Sequence, residues 1–391
     1  MFASYRRKNP RKIISVSGSG IRSVYLSECI NNMSRVYNFS AGPSMMPLEV
    51  LKHAQDEFLD FNGQGASVIE MSHRSKEYQA VAQQAEQDLR DLLNIPSNYK
   101  VLFLQGGGRG QFAAVPLNLL NGSKKADYIV TGAWSKYATK EAKKFGDIRT
   151  IEGTETVDGV VKLAPLPEFR EDADYVYYCS NETIHGIERF ETPKIKSGIL
   201  INDASSEFLS KPMDVTQFGL VFAGAQKNVA PAGLTIVIVR DDLIGKAAEY
   251  CPTIMDYKIN ADKESMYNTP PTFCWYMAGL VFKWLKQKGG LAVMEQENIA
   301  KAAYLYDYLD STDFYSNNID PSCRSRMNVP FFLKNEELND KFLAEAKACG
   351  LTTLKGHRDL GGMRASIYNA MPMEGVKALV AFMDKFAAAN K

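Results

Sequence analysis

The chain has 391 residues, a formal net charge of +1 at pH 7, 45% hydrophobic residues and 23% charged residues. Its length suits two domains, and its composition is ordinary for a globular protein. A nearly neutral charge provides no basic surface for nucleic acid or for an anionic membrane. No apolar stretch approaches the ~20 residues of a membrane span. These bulk properties exclude nucleic-acid-binding and membrane-spanning proteins.

The six cysteines are scattered along the chain, without a C-x-x-C pair or a zinc-binding spacing. This usage is typical of a reduced cytosolic protein, so we predict a cytoplasmic location and no metal site. The cysteines are Cys29, Cys179, Cys251, Cys274, Cys323 and Cys349.

Residues 1–33 differ in composition from the rest of the chain. The first 32 residues hold six basic residues and one acid, Glu28, and they lack the apolar core of a signal peptide. This basic, acid-poor composition is weakly similar to an organelle transit peptide. Because no amphipathic period of arginines is evident, we expect a disordered leader, or an upstream start codon with the true start at Met33.

Two helices are predicted before the first buried strand. Apolar residues recur at three- and four-residue spacing over residues 47–59, which predicts a helix there. A second helix is predicted at about 75–93, ending before Pro96. The connector between these helices carries His73 and Arg74.

From residue 101 onward, short apolar runs alternate with helical stretches. Continuous apolar runs separated by helices indicate a mostly parallel sheet that is covered on both faces. The sequence therefore predicts an α/β fold for this region. The predicted strands lie at 101–104, 128–130, 175–179, 199–202 and 220–222, with a further apolar run at 234–239.

In a parallel sheet, ligands bind outside the carboxyl ends of the strands. The residues that directly follow the five strands are therefore predicted to share one site. These residues are the glycine run at 106–108 with Arg109, then Trp134, Thr183, Asp203 and Lys227.

Lys227 is unusual because it follows a buried strand and lies among small residues. An ammonium group costs several kcal/mol to desolvate, so most lysines stay on solvated surfaces. A covalent partner is one way to keep a lysine in such a place, since its neutral amine forms a Schiff base with a carbonyl. The local sequence alone favours an ordinary loop lysine, and the rest of the chain is what changes this interpretation.

The other four loops supply the groups that a pyridoxal phosphate site requires. Glycine N–H groups at a helix start favour a phosphate, and Trp134 can stack on a pyridine ring. Asp203 can hold a proton on the ring nitrogen, and Thr183 can donate to the phenolate oxygen. Singly, these are also a glycine turn, a core tryptophan, a helix cap and a turn hydroxyl. Their order along the chain is the stronger signal.

The C-terminal part of the chain predicts a smaller α+β domain. After a long helix at 291–309, a strand at 326–332 precedes a helix at 336–348. Two short strands at 351–354 and 363–367 and a closing helix at 375–388 follow. We divide the chain into a large domain at 48–290 and a small domain that combines 34–47 with 291–391.

Basic residues outside the strand-end loops suggest an anionic substrate. His357, Arg358 and Arg364 lie in the C-terminal part, and His73 and Arg74 lie near the N-terminus. The planar fork of arginine binds carboxylates and phosphates through two parallel hydrogen bonds. Each residue alone could form an ordinary surface ion pair. As a group they suggest a substrate with two or three negative charges.

The chain resembles the phosphoserine aminotransferases, a family of class V pyridoxal phosphate aminotransferases, and is similar to the bacterial form. The resemblance covers about residues 34–390. It implies a fold-type-I pyridoxal phosphate transferase, with a mostly parallel large domain and a smaller α+β domain. The stretches that carry it are NFSAGP at 38–43, SHR at 72–74, GGGRGQ at 106–111, GAQKN at 224–228, NTPPT at 268–272, GHR at 356–358 and GGMR at 361–364.

The resemblance also implies roles for individual residues. Lys227 resembles the Schiff-base lysine and proton shuttle, and Asp203 the partner of the ring nitrogen; these are the expected catalytic residues. One departure is Ala41, where some family members have serine. The further expected cofactor contacts are Gly108, Arg109, Trp134, Thr183 and Gln226, with Asn268 and Thr269 reaching the cofactor phosphate of the other subunit in a homodimer. The expected substrate contacts are His73, Arg74, His357, Arg358 and Arg364.

The implied reaction moves the amino group of L-glutamate to 3-phosphohydroxypyruvate, giving O-phospho-L-serine and 2-oxoglutarate. Bacterial family members also act on 3-hydroxy-2-oxo-4-phosphooxybutanoate in pyridoxine biosynthesis. Two alternatives stay open at the level of sequence. One is another class V enzyme, such as an alanine–glyoxylate aminotransferase or a cysteine desulfurase, although no cysteine lies in an obviously flexible active-site loop. The other is a non-catalytic α/β protein that binds a phosphate or nucleotide.

Overall fold

The computed structural model describes residues 35–390. The predicted leader at 1–33, with its alternative start at Met33, lies outside these residues. The described part of the chain forms nine α-helices and sixteen β-strands. The helices are α1 (Leu48–Asp56), α2 (Lys76–Leu93), α3 (Gly107–Leu119), α4 (Ala133–Ala142), α5 (Tyr257–Asp262), α6 (Thr272–Gln287), α7 (Leu291–Ser311), α8 (Asn339–Ala348) and α9 (Met373–Ala389).

Short strands alternate with these helices. They are β1 (Tyr37–Asn38), β2 (Tyr99–Leu104), β3 (Lys125–Val130), β4 (Asp147–Glu152), β5 (Thr154–Val157), β6 (Val160–Leu163), β7 (Tyr175–Cys179), β8 (Asn181–Glu182), β9 (Ile187–Glu188), β10 (Ile199–Asp203), β11 (Leu220–Gly224), β12 (Thr235–Arg240), β13 (Tyr315–Ser316), β14 (Asn328–Leu333), β15 (Leu351–Thr352) and β16 (Met363–Ser366).

Seven strands form the central sheet, in the spatial order β2-β12-β11-β10-β7-β3-β4. The strands from β11 to β4 are parallel, whereas β12 is antiparallel to both of its neighbours. Alternate residues of β11 contact two separate cores: Val221 packs with residues of α2 and α6, and Phe222 packs with residues of α3 and α4. Helices therefore cover both faces, as the continuous apolar runs predict.

Two local predictions need correction. The first helix was expected over 47–59, but α1 ends at Asp56 and Leu59 is 82% exposed. Asp60 accepts a hydrogen bond from the N–H of Gly65 (2.6 Å), which closes a turn in place of further helix. The edge strand β4 and the β5–β6 hairpin were not predicted, because they contain few buried apolar residues.

A second core lies in the C-terminal part of the chain. Its sheet is three-stranded and antiparallel, in the order β13-β14-β16, and it packs with α7, α8 and α9. Phe39 and Met45 are buried in this core, and Tyr37 pairs with Leu351 in the parallel β1–β15 ladder. These contacts support our proposed assignment of residues 34–47 to the small domain. None of the helices within residues 35–390 is long and apolar enough to cross a membrane.

Candidate active site

Loops at the carboxyl ends of the central strands enclose a cavity of about 250 Å³. The cavity receives side chains from the loops after β2, β3, β10 and β11 and from the β8 hairpin that follows β7. Seven of the predicted site residues line it together: Gly108, Arg109, Trp134, Thr183, Asp203, Gln226 and Lys227.

Lys227 is buried at the base of this cavity. Its Nζ donates to Thr183 Oγ1 (2.8 Å) and to Ser206 Oγ (2.5 Å), and it lies 5.8 Å from the centre of the Trp134 ring. Burial lowers the pKa of Lys227, while the negative charge of Asp203 opposes this shift. The amine is therefore more readily deprotonated than an exposed lysine, so a larger fraction of it is available as a free base and nucleophile.

Asp203 is a fully enclosed carboxylate at the end of β10. Oδ1 accepts from the N–H of Ser205 (3.0 Å) and Oδ2 from the hydroxyl of Tyr177 (3.4 Å). Burial raises the pKa of Asp203, and the hydrogen bond from Ser205 and the charge of Lys227 oppose that rise. A protonated ring nitrogen in the cavity would supply a second cation to stabilise this buried anion.

The glycine run forms the first turn of α3. Gly106 caps the helix with a φ of +94°, and a Cβ there would lie 3.3 Å from the Cα of Gly110. Gly107 also has a positive φ, of +62°, and has open space beside it. The glycines therefore permit a tight turn that presents helix N–H groups to the cavity, which is a favourable place for a phosphate.

Trp134 forms an aromatic side of the cavity. The guanidinium carbon of Arg109 lies 5.4 Å from the centre of its ring. Its Nε1 is buried and finds no hydrogen-bond partner within residues 35–390. The cavity thus combines an anion site, a flat aromatic side, a buried carboxylate, a buried amine and an unused donor. These groups fit pyridoxal phosphate.

Of the predicted substrate residues, Arg364 contacts a residue that lines the cavity. Its Nη1 donates to the carbonyl of Thr183 (3.4 Å), and burial lowers its pKa. His357 and Arg358 lie in the loop between β15 and β16, where the Arg358 side chain is 88% exposed. This loop contacts helix α4, since the Tyr137 hydroxyl donates to Asp359 Oδ2 (3.3 Å).

Besides Arg364, His357 and Arg358, four further predicted residues do not line the cavity within residues 35–390. Arg74 is exposed and His73 is half-buried on the connector before α2. Asn268 and Thr269 lie on an exposed turn before α6. Asn268 lines a neighbouring cavity of about 280 Å³ on the other side of Gly106.

Several cavity residues were missed from the sequence. Ser205 and Ser206 belong to the polar run after β10, so the strand-end rule could have found them. Asn181 also lines the cavity, although it lies within a two-residue strand. Cys179 lies at the end of β7, and burial raises its pKa well above the ordinary thiol value. This thiol stays protonated and is a poor candidate for the reactive cysteine of a desulfurase.

Comparison with known proteins identifies the class to which this fold and site belong. The family model for class V aminotransferases matches residues 36–379. Because the match spans most of the chain, the chain belongs to the class V aminotransferases.

Solved structures narrow the assignment further. The phosphoserine aminotransferase from Bacillus circulans subsp. alkalophilus is 44% identical, with a TM-score of 0.87 over 92% of this chain and 100% of that chain. The phosphoserine aminotransferase with bound pyridoxal phosphate from Trichomonas vaginalis is 43% identical, with a TM-score of 0.84 over 90% of this chain and 100% of that chain. Within its class, the chain therefore belongs to the phosphoserine aminotransferase family. The predicted family and fold class are confirmed.

A more distant solved structure shares the fold of this chain. The alanine–glyoxylate aminotransferase from Nostoc sp. is 15% identical, with a TM-score of 0.71 over 90% of this chain and 96% of that chain. At that identity it shares the fold alone.

Within residues 35–390 there is also no cluster of three or more histidine, cysteine, aspartate or glutamate side chains suited to a metal ion.

Proposed function

We propose that this protein transfers the amino group of L-glutamate to 3-phosphohydroxypyruvate, giving O-phospho-L-serine and 2-oxoglutarate, with pyridoxal phosphate as its cofactor. The observation that carries the proposal is the single cavity that joins Lys227, Asp203, Trp134 and the α3 N-terminus. Membership of the phosphoserine aminotransferase family supports the choice of substrates.

We assign the cofactor contacts to residues that surround this cavity. When bound, pyridoxal phosphate supplies a ring that accepts the electron pair left on the substrate Cα. Trp134 would stack on the ring, Asp203 would hold the proton on its nitrogen, and Thr183 would donate to its phenolate oxygen. Gly108, Arg109 and Gln226 would hold the phosphate beside the α3 N-terminus.

Lys227 is the group that moves the proton in this proposal. Burial lowers its pKa, so that its free amine can take the proton from the Cα of the amino acid. Thr183 and Ser206 accept hydrogen bonds from Nζ and hold it in one position. The same amine would return a proton to Cα in the second half of the transfer.

The position of Arg364 favours a contact with the carboxylate that all substrates share. It is hydrogen-bonded to the backbone of Thr183, whose side chain contacts Lys227. The reacting Cα must lie next to Lys227, and the α-carboxylate is attached to that carbon. We therefore assign Arg364 to the α-carboxylate, and His357 and Arg358 to the distal phosphate or the second carboxylate.

Four residues are assigned to the site of a second copy in a homodimer. The family resemblance supports this role for Asn268 and Thr269, which lie exposed outside the cavity of their own chain. We extend it to His73 and Arg74, which also lie outside that cavity. We also propose a cytoplasmic location. Cys179, Cys251, Cys274 and Cys323 are not in disulfides within the described residues, which supports a reducing compartment.

Borohydride reduction of the protein incubated with pyridoxal phosphate tests this function. Peptide mapping should find a phosphopyridoxyl group on Lys227, and its absence would refute the enzyme assignment. A panel of 2-oxo acids with glutamate as donor, read by 2-oxoglutarate release, then tests the substrate. The panel should include 3-hydroxy-2-oxo-4-phosphooxybutanoate, which has one more carbon than phosphohydroxypyruvate.

A further inference from the structure

Glu182 is a completely buried carboxylate that does not line the cavity. Its Oε1 accepts from the N–H of Ser135 (2.8 Å) and from the hydroxyl of Ser135 (2.6 Å). Its Oε2 accepts from the N–H of Trp134 (3.0 Å). All three donors belong to the first turn of α4, so Glu182 caps this helix from the separate β8–β9 hairpin.

The N-terminus of α4 requires a hydrogen-bond acceptor from outside the helix. The first N–H groups of a helix lack partners within it, and a negative charge there is stabilised by the helix dipole. Gly132, which precedes α4, has no side chain to fill this role. A Cβ at Gly132 would lie 2.7 Å from Cδ of Glu182 and 2.8 Å from Nδ1 of His185. The absence of that Cβ leaves the space that Glu182 occupies.

This cap connects two of the loops that form the cavity. On one side it fixes the backbone of Trp134, whose ring lies 5.8 Å from the amine of Lys227. On the other side Glu182 is followed directly by Thr183, whose hydroxyl accepts from the same amine at 2.8 Å. One buried side chain thus links the aromatic side of the cavity to the residue whose hydroxyl lies beside the lysine.

We propose that Glu182 is a positioning residue that holds Trp134 and Thr183 in register around the cofactor ring. The inference rests on the proposed function, because it gives the cavity a pyridoxal phosphate to be positioned. Glu182 acts through the α4 N-terminus and does not contact the ligand. Its negative charge is required, since all three of its partners are donors and charge-assisted hydrogen bonds are the stronger kind.

Glutamine is the matched replacement, because it keeps the size of the side chain but points an N–H₂ group at one set of donors. We expect E182Q to bind pyridoxal phosphate about tenfold or more weakly than wild type in a titration of the cofactor-free protein. The visible circular dichroism of the bound cofactor should also change, because that signal reports the position of the ring. Asp88→Asn is the control: it alters another buried carboxylate, paired with Lys286 and remote from the cavity, and should keep wild-type affinity.

Comparison with Trp134→Ala shows whether Glu182 acts through the aromatic side of the cavity. If it does, E182Q combined with Trp134→Ala should bind the cofactor within about twofold of Trp134→Ala alone. Ser135→Ala removes one of the three donors and should weaken binding in the same direction, which keeps the test valid if E182Q does not fold.

The outcomes separate this inference from the proposed function. Wild-type affinity in E182Q would overturn the positioning role and leave the proposed function standing. Losses that add fully in the double variant would overturn the part of the role that acts through Trp134. If the wild-type protein itself fails to bind pyridoxal phosphate, the proposed function and the inference are both refuted.

Discussion

The buried amine of Lys227 lowers the stability of the fold but is suited to proton transfer. Its amine is buried with two hydroxyls as hydrogen-bond partners, and burial lowers its pKa. A buried ammonium is destabilising unless an anion compensates it. The charge of Asp203 compensates in part, so the cofactor-free protein carries the remaining desolvation cost of the amine.

We predict that Lys227→Met stabilises the cofactor-free protein by about 1 kcal/mol at pH 7. The hydroxyls of Thr183 and Ser206 already share a hydrogen bond (2.5 Å), so they keep a partner when the amine is removed. The pKa of Lys227 is lower in the folded than in the unfolded chain. At pH values below the ordinary lysine pKa of 10.5, this difference lowers the free energy of unfolding of the wild type. The gain should therefore shrink as the pH approaches 10.5. Urea unfolding of both proteins at pH 7 and pH 10 measures it, and a stability loss at pH 7 would contradict the argument.

Two arginines should affect substrates differently if their proposed roles are correct. Arg364→Ala removes a contact with the shared α-carboxylate, so we expect about a hundredfold loss of kcat/KM for both phosphohydroxypyruvate and pyruvate. Arg358→Ala should cost about tenfold for phosphohydroxypyruvate and leave pyruvate nearly unchanged. Steady-state kinetics on both acceptors provide the measurement. A phosphate-specific loss in Arg364→Ala would reverse the two assignments.

At the level of elements, hydrogen bonds between its own backbone groups close the loop between β15 and β16. Gly356 donates its N–H to the carbonyl of Gly362 (2.9 Å), and Gly361 donates to the carbonyl of His357 (2.7 Å). The loop carries His357 and Arg358 and contacts α4 through Asp359. Its geometry therefore sets where the proposed phosphate-binding residues stand relative to the cavity.

Gly356→Ala should disrupt this loop, because the new Cβ would lie 1.9 Å from the carbonyl oxygen of Gly361. We expect KM for phosphohydroxypyruvate to rise about tenfold while kcat changes much less, since the loop contributes binding and not the proton transfer. Gly361→Ala is the matched control. It has a φ of +77° but no atom within 4 Å of the new Cβ, so it adds only about 1 kcal/mol of backbone strain. Equal KM values for the two variants would show that loop closure is unimportant.

At the level of the whole molecule, polar contacts join the two cores beside the lysine. Asn228, which follows Lys227, accepts from the N–H of Asn369 (3.0 Å). Asn369 Nδ2 in turn donates to the carbonyl of Leu209 (2.8 Å), and Asn298 Nδ2 donates to Asn369 Oδ1 (2.9 Å). The position of the lysine loop therefore depends on the packing of both cores.

Mixed dimers test the proposed contribution of Asn268 and Thr269 to the site of a second chain. Lys227→Ala and the double variant Asn268→Ala/Thr269→Ala should each lose most activity as pure proteins. After co-refolding, half of the dimers would be mixed, and each mixed dimer would hold one intact site. We therefore expect about a quarter of wild-type activity to return.

The control for this experiment mixes Lys227→Ala with Asp203→Ala. Both residues lie in the cavity of their own chain, so each site of a mixed dimer carries one lesion and no activity should return. Failure of the Asn268/Thr269 mixture to recover would place these residues outside the partner's site.

Much of the fold follows from local sequence, and the exceptions have physical causes. The strand β7 coincides with the predicted run at 175–179 because all five residues are buried. The edge strand β4 was missed because only Ile148 and Ile151 are buried in it. The direction of β12 could not be predicted either. A buried strand has the same continuous apolar pattern whether its neighbours are parallel or antiparallel.

The sequence by itself determined the five strand-end loops and their order, and so the grouping of Lys227, Asp203 and Trp134 in one cavity. That grouping is local in origin, since parallel strands bring their carboxyl ends to one edge. Only the tertiary structure decided that Glu182 caps α4 and that Arg364 reaches the backbone of Thr183. These contacts join residues that are 47 and 181 positions apart in the chain. They depend on how hairpins and cores pack, which no periodicity in the sequence encodes.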